Sequence, residues 1–170
     1  MIKEKLAVVN AQDKVIEIRD RDEVHRLALR HRAVHILIFN QKQELFLQKR
    51  SPQKDINAGL WDSSAAGHVD AGEDYDHCVI REVSEELGIQ LNQQPEFLFK
   101  LSPSDENGME FIQVYRSQHN GPFTLCTEEI EEGQWFSIPE ISELVSANAL
   151  PLTSTFKSIW KSFITLSKTY

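Results

Sequence analysis

The stretch GHVDAGEDYDHCVIREVSEELGI, Gly67 to Ile89, crowds carboxylates around one short apolar stripe. Val79, Val83 and Leu87 recur at four-residue spacing with Ile80 beside them, which predicts a helix with one core-facing side. Asp74 or Glu73 starts that helix, and Gly88 stops it just past Leu87. Glu82 and Glu86 stand at i and i+4, and Glu82 and Glu85 at i and i+3. Three carboxylates are therefore expected to leave neighbouring positions, away from the stripe. Arg81, four residues before Glu85, can orient it through a charge-assisted hydrogen bond. Adjacent carboxylates repel, so the cluster gains the helix nothing unless a cation neutralises it. Hard divalent ions such as Mg²⁺ or Mn²⁺ take oxygen ligands of this kind. Taken alone, the same residues also read as a solvated acidic face.

Outward from this helix, periodicity predicts a mixed α/β domain. Leu6 to Asn10 and Val15 to Ile18 read as short strands joined by a turn at 11–14, and Asp22 as the cap of a short helix through Val24, Leu27 and Leu29. Ala33 to Phe39 is apolar on both alternating faces except at His35, as a doubly covered central strand would be. A turn at Asn40 to Gln43 leads to a strand from Glu44 to Arg50, then a loop to Gly59 and a small-residue strand from Ser63 to Gly67. Further strands are expected at Glu96 to Leu101, Met109 to Arg116, near Phe123, and at Gln134 to Phe136. Pro139 opens a short helix through Leu144, and Thr153 or Ser154 begins a last one carrying Phe156, Ile159, Trp160 and Phe163.

The chain has 170 residues, 41% hydrophobic and 26% charged, which suits one compact domain with a real core. Its net charge of −8 argues against nucleic-acid polymers and membrane surfaces as partners. Two cysteines, Cys78 and Cys126, have no near partner at metal-ligand spacing, so a reduced, cytoplasmic protein is the simplest reading. The amino terminus lacks an apolar leader core, and no later run is long enough to span a bilayer.

Gly67, five residues, Glu73, seven residues, then REVSEELGI from Arg81 to Ile89 meets every fixed position of the Nudix box. The chain thus resembles the Nudix family, and the strand order from about Ala33 onward resembles that fold. The resemblance implies an α/β/α sandwich on a mixed β-sheet, with the box as a loop-helix-loop at 67–89 inside a domain at 31–170. Residues 1–30 would be an extension of strands packed on that domain, able to pair across a homodimer. It further implies Glu82, Glu85 and Glu86 as divalent-metal ligands, with Gly67 bringing backbone close to the metal or phosphate. Glu73 and Arg81 would tie the loop to the helix and orient carboxylates. The expected activity is Mg²⁺- or Mn²⁺-dependent hydrolysis of a phosphoanhydride in a small organic diphosphate, nucleoside-linked or otherwise. Lys49, Arg50 and Lys54 are candidate phosphate contacts, though each also reads as an ordinary solubilising residue. In this family Glu85, or a glutamate from a later loop, serves as base. The acidic run from Glu128 to Glu132 offers Glu129, giving Glu85, Glu86 and Glu129 as the expected catalytic set.

A narrower resemblance lies in HRAVHILIFN, His31 to Asn40, and LWDSSAAGH, Leu60 to His68. These segments are similar to the branch containing type 1 isopentenyl-diphosphate isomerase. That enzyme uses a cysteine immediately before the Gly-His pair, where this chain has Ala66. Without a thiol, isomerisation loses its central group, so hydrolysis is favoured. The same branch binds a metal through histidines and glutamates outside the box. His31 and His68 match two of those positions and Glu110 a third, while His25 falls out of register by one residue. His35 reads as a satisfied core histidine, and His77 as exposed. A catalytically idle sensor that binds a nucleotide is a third reading, against which the intact box counts.

Overall fold

The computed structural model describes residues 3–168. In chain order they form β1 (Lys5–Val9), β2 (Val15–Asp20), α1 (Arg21–Arg26), β3 (His31–Phe39), β4 (Glu44–Arg50), β5 (Trp61–Asp62) and β6 (Ala65–His68). Then come α2 (Tyr75–Leu87), β7 (Glu96–Leu101), β8 (Glu110–Gln118), β9 (Ile130–Ser137), α3 (Ile138–Ala147) and α4 (Ser154–Ser167).

β3 is the spine, because nearly every residue in it is buried and both its faces are covered. It lies parallel to β8 over nine residue pairs, from His31 opposite Glu110 to Phe39 opposite Gln118. β6 and β4 run antiparallel to it, β7 closes one side beyond β8, and β5 and β9 pair with β4. Alternation then sorts the core. Ala33, Leu37 and Phe39 face α3 and α4, meeting Ile141, Phe156, Ile159, Trp160 and Phe163. Val34, Ile36 and Ile38 face α2, meeting Val79, Val83 and Leu87. Helices cover both faces of a mixed sheet, which makes an α/β/α sandwich. No helix among the described residues is long and apolar enough to cross a membrane.

β1 and β2 form a separate antiparallel ribbon with its own small core of Leu6, Val8 and Val24, with Leu29 packed against it. Backbone hydrogen bonds from Val9 N to Arg30 O and from Ala71 N to Lys5 O fasten the ribbon to the sandwich. Asp13 in its turn accepts from Arg32, Tyr75 and Lys100, a second anchor.

Five local expectations are corrected. The first helix begins at Arg21 and ends at Arg26, with Asp20 at its cap position rather than Asp22. Ala28, at φ 50°, breaks it, so Leu27 and Leu29 lie beyond its end. The small-residue strand spans Ala65–His68, because Ser63 and Ser64 turn their hydroxyls to His35, Phe46 O and Ile38 N. No strand forms near Phe123. That ring instead packs edge-on against Phe46 and beside Trp135, in a segment without ladder pairing. β9 starts four residues early, at Ile130, and takes in Glu131 and Glu132. Cross-strand Lys49 reaches both carboxylates, at 3.1 and 3.6 Å, and so offsets the charge that made this run read as loop. The third helix starts at Ile138 behind a Ser137–Glu140 capping box.

Gly133 on β9 lies where any side chain would strike the core. A Cβ there would sit 2.0 Å from Phe46 Cζ, and the Phe46 ring is fixed by Phe123 and Trp135. Gly133→Ala should therefore destabilise the fold by about 1–3 kcal/mol through overpacking. Thermal unfolding measures this, and an unchanged melting temperature would contradict the packing described.

Candidate functional site: two ligand clusters in one cavity

The helix that carries the acidic cluster is well closed at both ends. Asp74 caps α2 by accepting from His77 N at 2.8 Å, and Gly88, in the left-handed region, donates back to Ser84 O. With its apolar stripe on the sheet, α2 lines a cavity of about 830 Å³ with Arg81, Glu82, Glu85 and Glu86. The carboxylates are not equivalent, and the expectation that all three point away from the core is corrected for one. Glu86 is 4% exposed and accepts from Gln48 Nε2 at 2.7 Å and from Ala66 N at 3.4 Å. Burial, then the charge of Glu82, pushes its carboxyl well above the ordinary range. Glu82 is also mostly buried, and burial pushes it up to about 7 against the opposing pull of Arg81. Glu85 stands open to solvent.

Arg81 gathers the outer carboxylates. It donates to both oxygens of Glu73 at 2.9 Å, to Glu82 at 2.7 Å, to Glu85 at 3.1 Å and to His68 O at 3.0 Å. Glu73 in turn accepts from Asp70 N, which closes the loop before the helix. Gly67 owes its identity to Glu82: a Cβ there would lie 2.0 Å from the Glu82 carboxyl carbon. Backbone and carboxylate occupy the space a side chain would need.

A second cluster adjoins the same cavity, which His25, His68 and Glu110 line while His31 is buried outside the lining. The first residues of β3 and β8 place His31 opposite Glu110, and the β3–β6 register sets His68 one strand over. His25 arrives from α1. One ligand atom from each of the four residues falls within 4.8 Å of the others. His68 Nε2 is 3.2 Å from Glu110 Oε1 and 3.3 Å from His25 Nε2, and His31 Nε2 is 3.4 Å from Glu110 Oε1. His31 Nδ1 donates to Leu29 O at 2.8 Å, which fixes the ring and leaves Nε2 facing the cluster. Buried His31 Nε2 and His25 Nδ1 have no hydrogen-bond partner. Burial opposes charge on His68, yet Glu110 and Glu4 outweigh it and lift the imidazole to about 9. Burial, with His68 and Arg21 nearby, drives His25 down to about 4. Burial would raise Glu110, but His31 and His68 hold it well below the ordinary carboxylate range.

Both donor sets fit cations. The box offers clustered oxygens that repel one another, and the histidine set offers a ring nitrogen with no other partner in a mixed nitrogen and oxygen shell. Sequence spacing brought forward His31, His68 and Glu110 and left His25 out of register. Its place depends on where α1 packs, which local pattern does not encode.

The remaining candidates divide. Arg50 and Lys54 line the cavity, Arg50 donating to Ile56 O and Lys54 paired with Glu129 at 2.6 Å. Glu128 and Glu129 line it too. Lys49 does not: it lies outside the lining with Glu131 and Glu132. His35 is 5% exposed with Nδ1 2.6 Å from Ser63 Oγ, a satisfied histidine, although it also forms part of the cavity wall beside Asp62. His77 is exposed. Ala66 lines the cavity, and no Phe, Tyr or Trp does so among the described residues.

The NUDIX domain family model matches residues 29–156. An isopentenyl-diphosphate Delta-isomerase of Serratia proteamaculans is 32% identical over 161 residues, which span 93% of this chain and 90% of that protein. The uncharacterized Nudix hydrolase PA4841 of Pseudomonas aeruginosa is 36% identical over 152 residues, 87% of this chain and 86% of that one. The crystal structure of DR0079 from Deinococcus radiodurans superposes with a TM-score of 0.82 at 25% identity, covering 93% of this chain and 98% of that chain. With three-quarters of its length matched by the family model and the box residues gathered at one cavity, the chain belongs to the Nudix hydrolase family.

Proposed function

We propose that the protein is a divalent-metal-dependent hydrolase that splits a phosphoanhydride bond in a small organic diphosphate. The observation that carries this reading is the packing of Glu82, Glu85 and Glu86 with Gly67 at one cavity wall, with two of the carboxylates held out of water. Mg²⁺ or Mn²⁺ bound there would screen the diphosphate and lower the pKa of a coordinated water. Glu82, Glu85 and Glu86 hold the ion, Gly67 leaves room for the Glu82 carboxylate, and Glu73 and Arg81 keep the carboxylates aimed. Glu85, the most open of the three, or Glu129 takes the proton from the attacking water. Arg50 and Lys54 bring positive charge to the cavity lining, Lys54 while paired with Glu129, whereas Lys49 lies outside that lining. His25, His31, His68 and Glu110 form a second metal site. Two free thiols fit a reducing compartment, and we assign the protein to the cytoplasm.

A second reading, isomerisation of isopentenyl diphosphate, is favoured by the Serratia relative and by the histidine cluster. Ala66 stands against it, because a methyl group can neither donate nor accept a proton. Isopentenyl diphosphate incubated with the protein and either metal should yield no allylic isomer; conversion at enzymatic rates would replace hydrolysis with isomerisation.

Glu86→Gln should lower turnover of the best substrate in an organic-diphosphate panel by about two to three orders of magnitude. Its melting temperature without metal should not fall, since glutamine matches the carboxyl in size and keeps an acceptor for Gln48 and for Ala66 N. Retained turnover would remove Glu86 from the mechanism.

Glu82 also sets a pH dependence. Its carboxyl titrates near 7 in the folded chain against an ordinary 4.5, so the folded state keeps a proton that the unfolded state releases. That stabilising contribution is complete below about pH 4.5 and is lost as pH rises through about 7. Mg²⁺ should therefore raise the melting temperature more at about pH 8 than at about pH 5, and less in Glu82→Gln than in the natural chain. Equal Mg²⁺ shifts at both pH values would contradict the assignment.

A further inference from the structure

The amino-terminal ribbon leaves one strand edge uncovered. β1 is buried on both faces, and on its far side Leu6 bridges to Asp70 while Ala71 N donates to Lys5 O. β2 pairs only with β1 among the described residues. Its outer edge thus presents backbone groups without strand partners, the feature that most readily accepts another chain. The same strand exposes Val15 at 52%, Ile16 at 62% and Ile18 at 56%, half of the large apolar residues that stand exposed among the described residues. No proline or inward-facing lysine blunts this edge.

The charges on β2 select its partner. When a strand pairs antiparallel with its own copy about a two-fold axis, opposed residues share a face, so the axis passes through one residue and its counterpart. Centred on Glu17, the pairing sets two carboxylates against each other, which is destabilising. Centred on Ile18, it sets Ile18 against Ile18 and places Glu17 opposite Arg19 of the second copy on both sides of the axis. Within its own chain Arg19 lies 3.0 Å from Glu17 and 2.6 Å from Glu23, so the pairing would bring the second copy's Glu17 to a guanidinium that already gathers carboxylates. Such local complementarity is what two copies need if each carries a net charge of −8.

We propose that the protein forms a two-fold homodimer by antiparallel pairing of β2 with β2 of a second copy, in the register centred on Ile18. The result is a four-stranded ribbon with no free edge at its centre. α1 follows β2 without a linker and carries Arg21 and His25 to the cavity, so the pairing braces one wall of the site in each copy. The dimer is independent of the reaction catalysed.

Sedimentation equilibrium of the full chain should give twice the 19.6 kDa chain mass. Ile18→Lys should weaken association at least about tenfold without altering the circular-dichroism spectrum. The register is read by cross-linking in a Cys126→Ser background, because directly opposed residues lie about 4.5–5.5 Å apart at Cα, within disulfide range. Mild oxidation should join Ile18→Cys chains and leave Glu17→Cys chains single. The reverse pattern would overturn the register. A monomer at about 100 µM, or a dimer untouched by Ile18→Lys and not cross-linked through residue 18, would overturn the pairing itself.

Discussion

Glu82 and Glu86 stand nearly out of water on adjacent turns of one helix, and the cost of holding two carboxylates there shapes much of what surrounds them. Arg81 draws Glu73, Glu82 and Glu85 together, yet it makes no ion pair with Glu86 among the described residues. Glu86 has only the amide of Gln48 and the backbone of Ala66. Burial, with Glu82 close by, holds its carboxyl well above the ordinary range, so charge there calls for a cation. The chain therefore maintains a site that is electrostatically incomplete, and the surrounding fold must supply the stability that this arrangement withholds.

It does so through the sheet. Val79, Val83 and Leu87 are fully buried against Val34, Ile36 and Ile38, so α2 is fixed along its length by apolar contacts that have no part in the chemistry. The same alternation sends Ala33, Leu37 and Phe39 to the other face, where α3 and α4 cover them. With β3 pinned from both sides, its first residue can hold His31 against Glu110, and its antiparallel neighbour β6 can carry Gly67 and His68 next to each other. One short strand thus joins the two clusters: Gly67 yields to Glu82, and His68 reaches Glu110.

That shared wall is where the family resemblance divides. The box carboxylates match the hydrolase family, the histidine cluster resembles the isomerase branch, and His25, His68 and Glu110 line the same cavity as the carboxylates, with His31 buried outside that lining. Ala66, beside Gly67 on β6, is the position at which the resemblance to the isomerase branch lapses. A methyl there leaves Glu86 its backbone hydrogen bond while removing any group that could carry a proton to carbon.

Residue pattern alone determined the α2 helix, its Gly88 end and a start at Asp74 or Glu73, the doubly covered β3, and the spacing of Glu82, Glu85 and Glu86, because each depends on contacts within a few turns or on period-two alternation. It was misled at Glu131 and Glu132, which lie in a strand because β9 pairs along the whole of β4, with Lys49 opposite Glu132, and near Phe123, whose ring fills an aromatic gap rather than a ladder. Tertiary structure alone decided that Glu86 is buried, that Gly67 makes room for the Glu82 carboxylate, that Lys49 leaves the cavity, and that His25 joins His31, His68 and Glu110. The physical reason is common to all four. Each depends on how far apart two elements come to rest, and that distance is set by packing between segments that are remote in the chain.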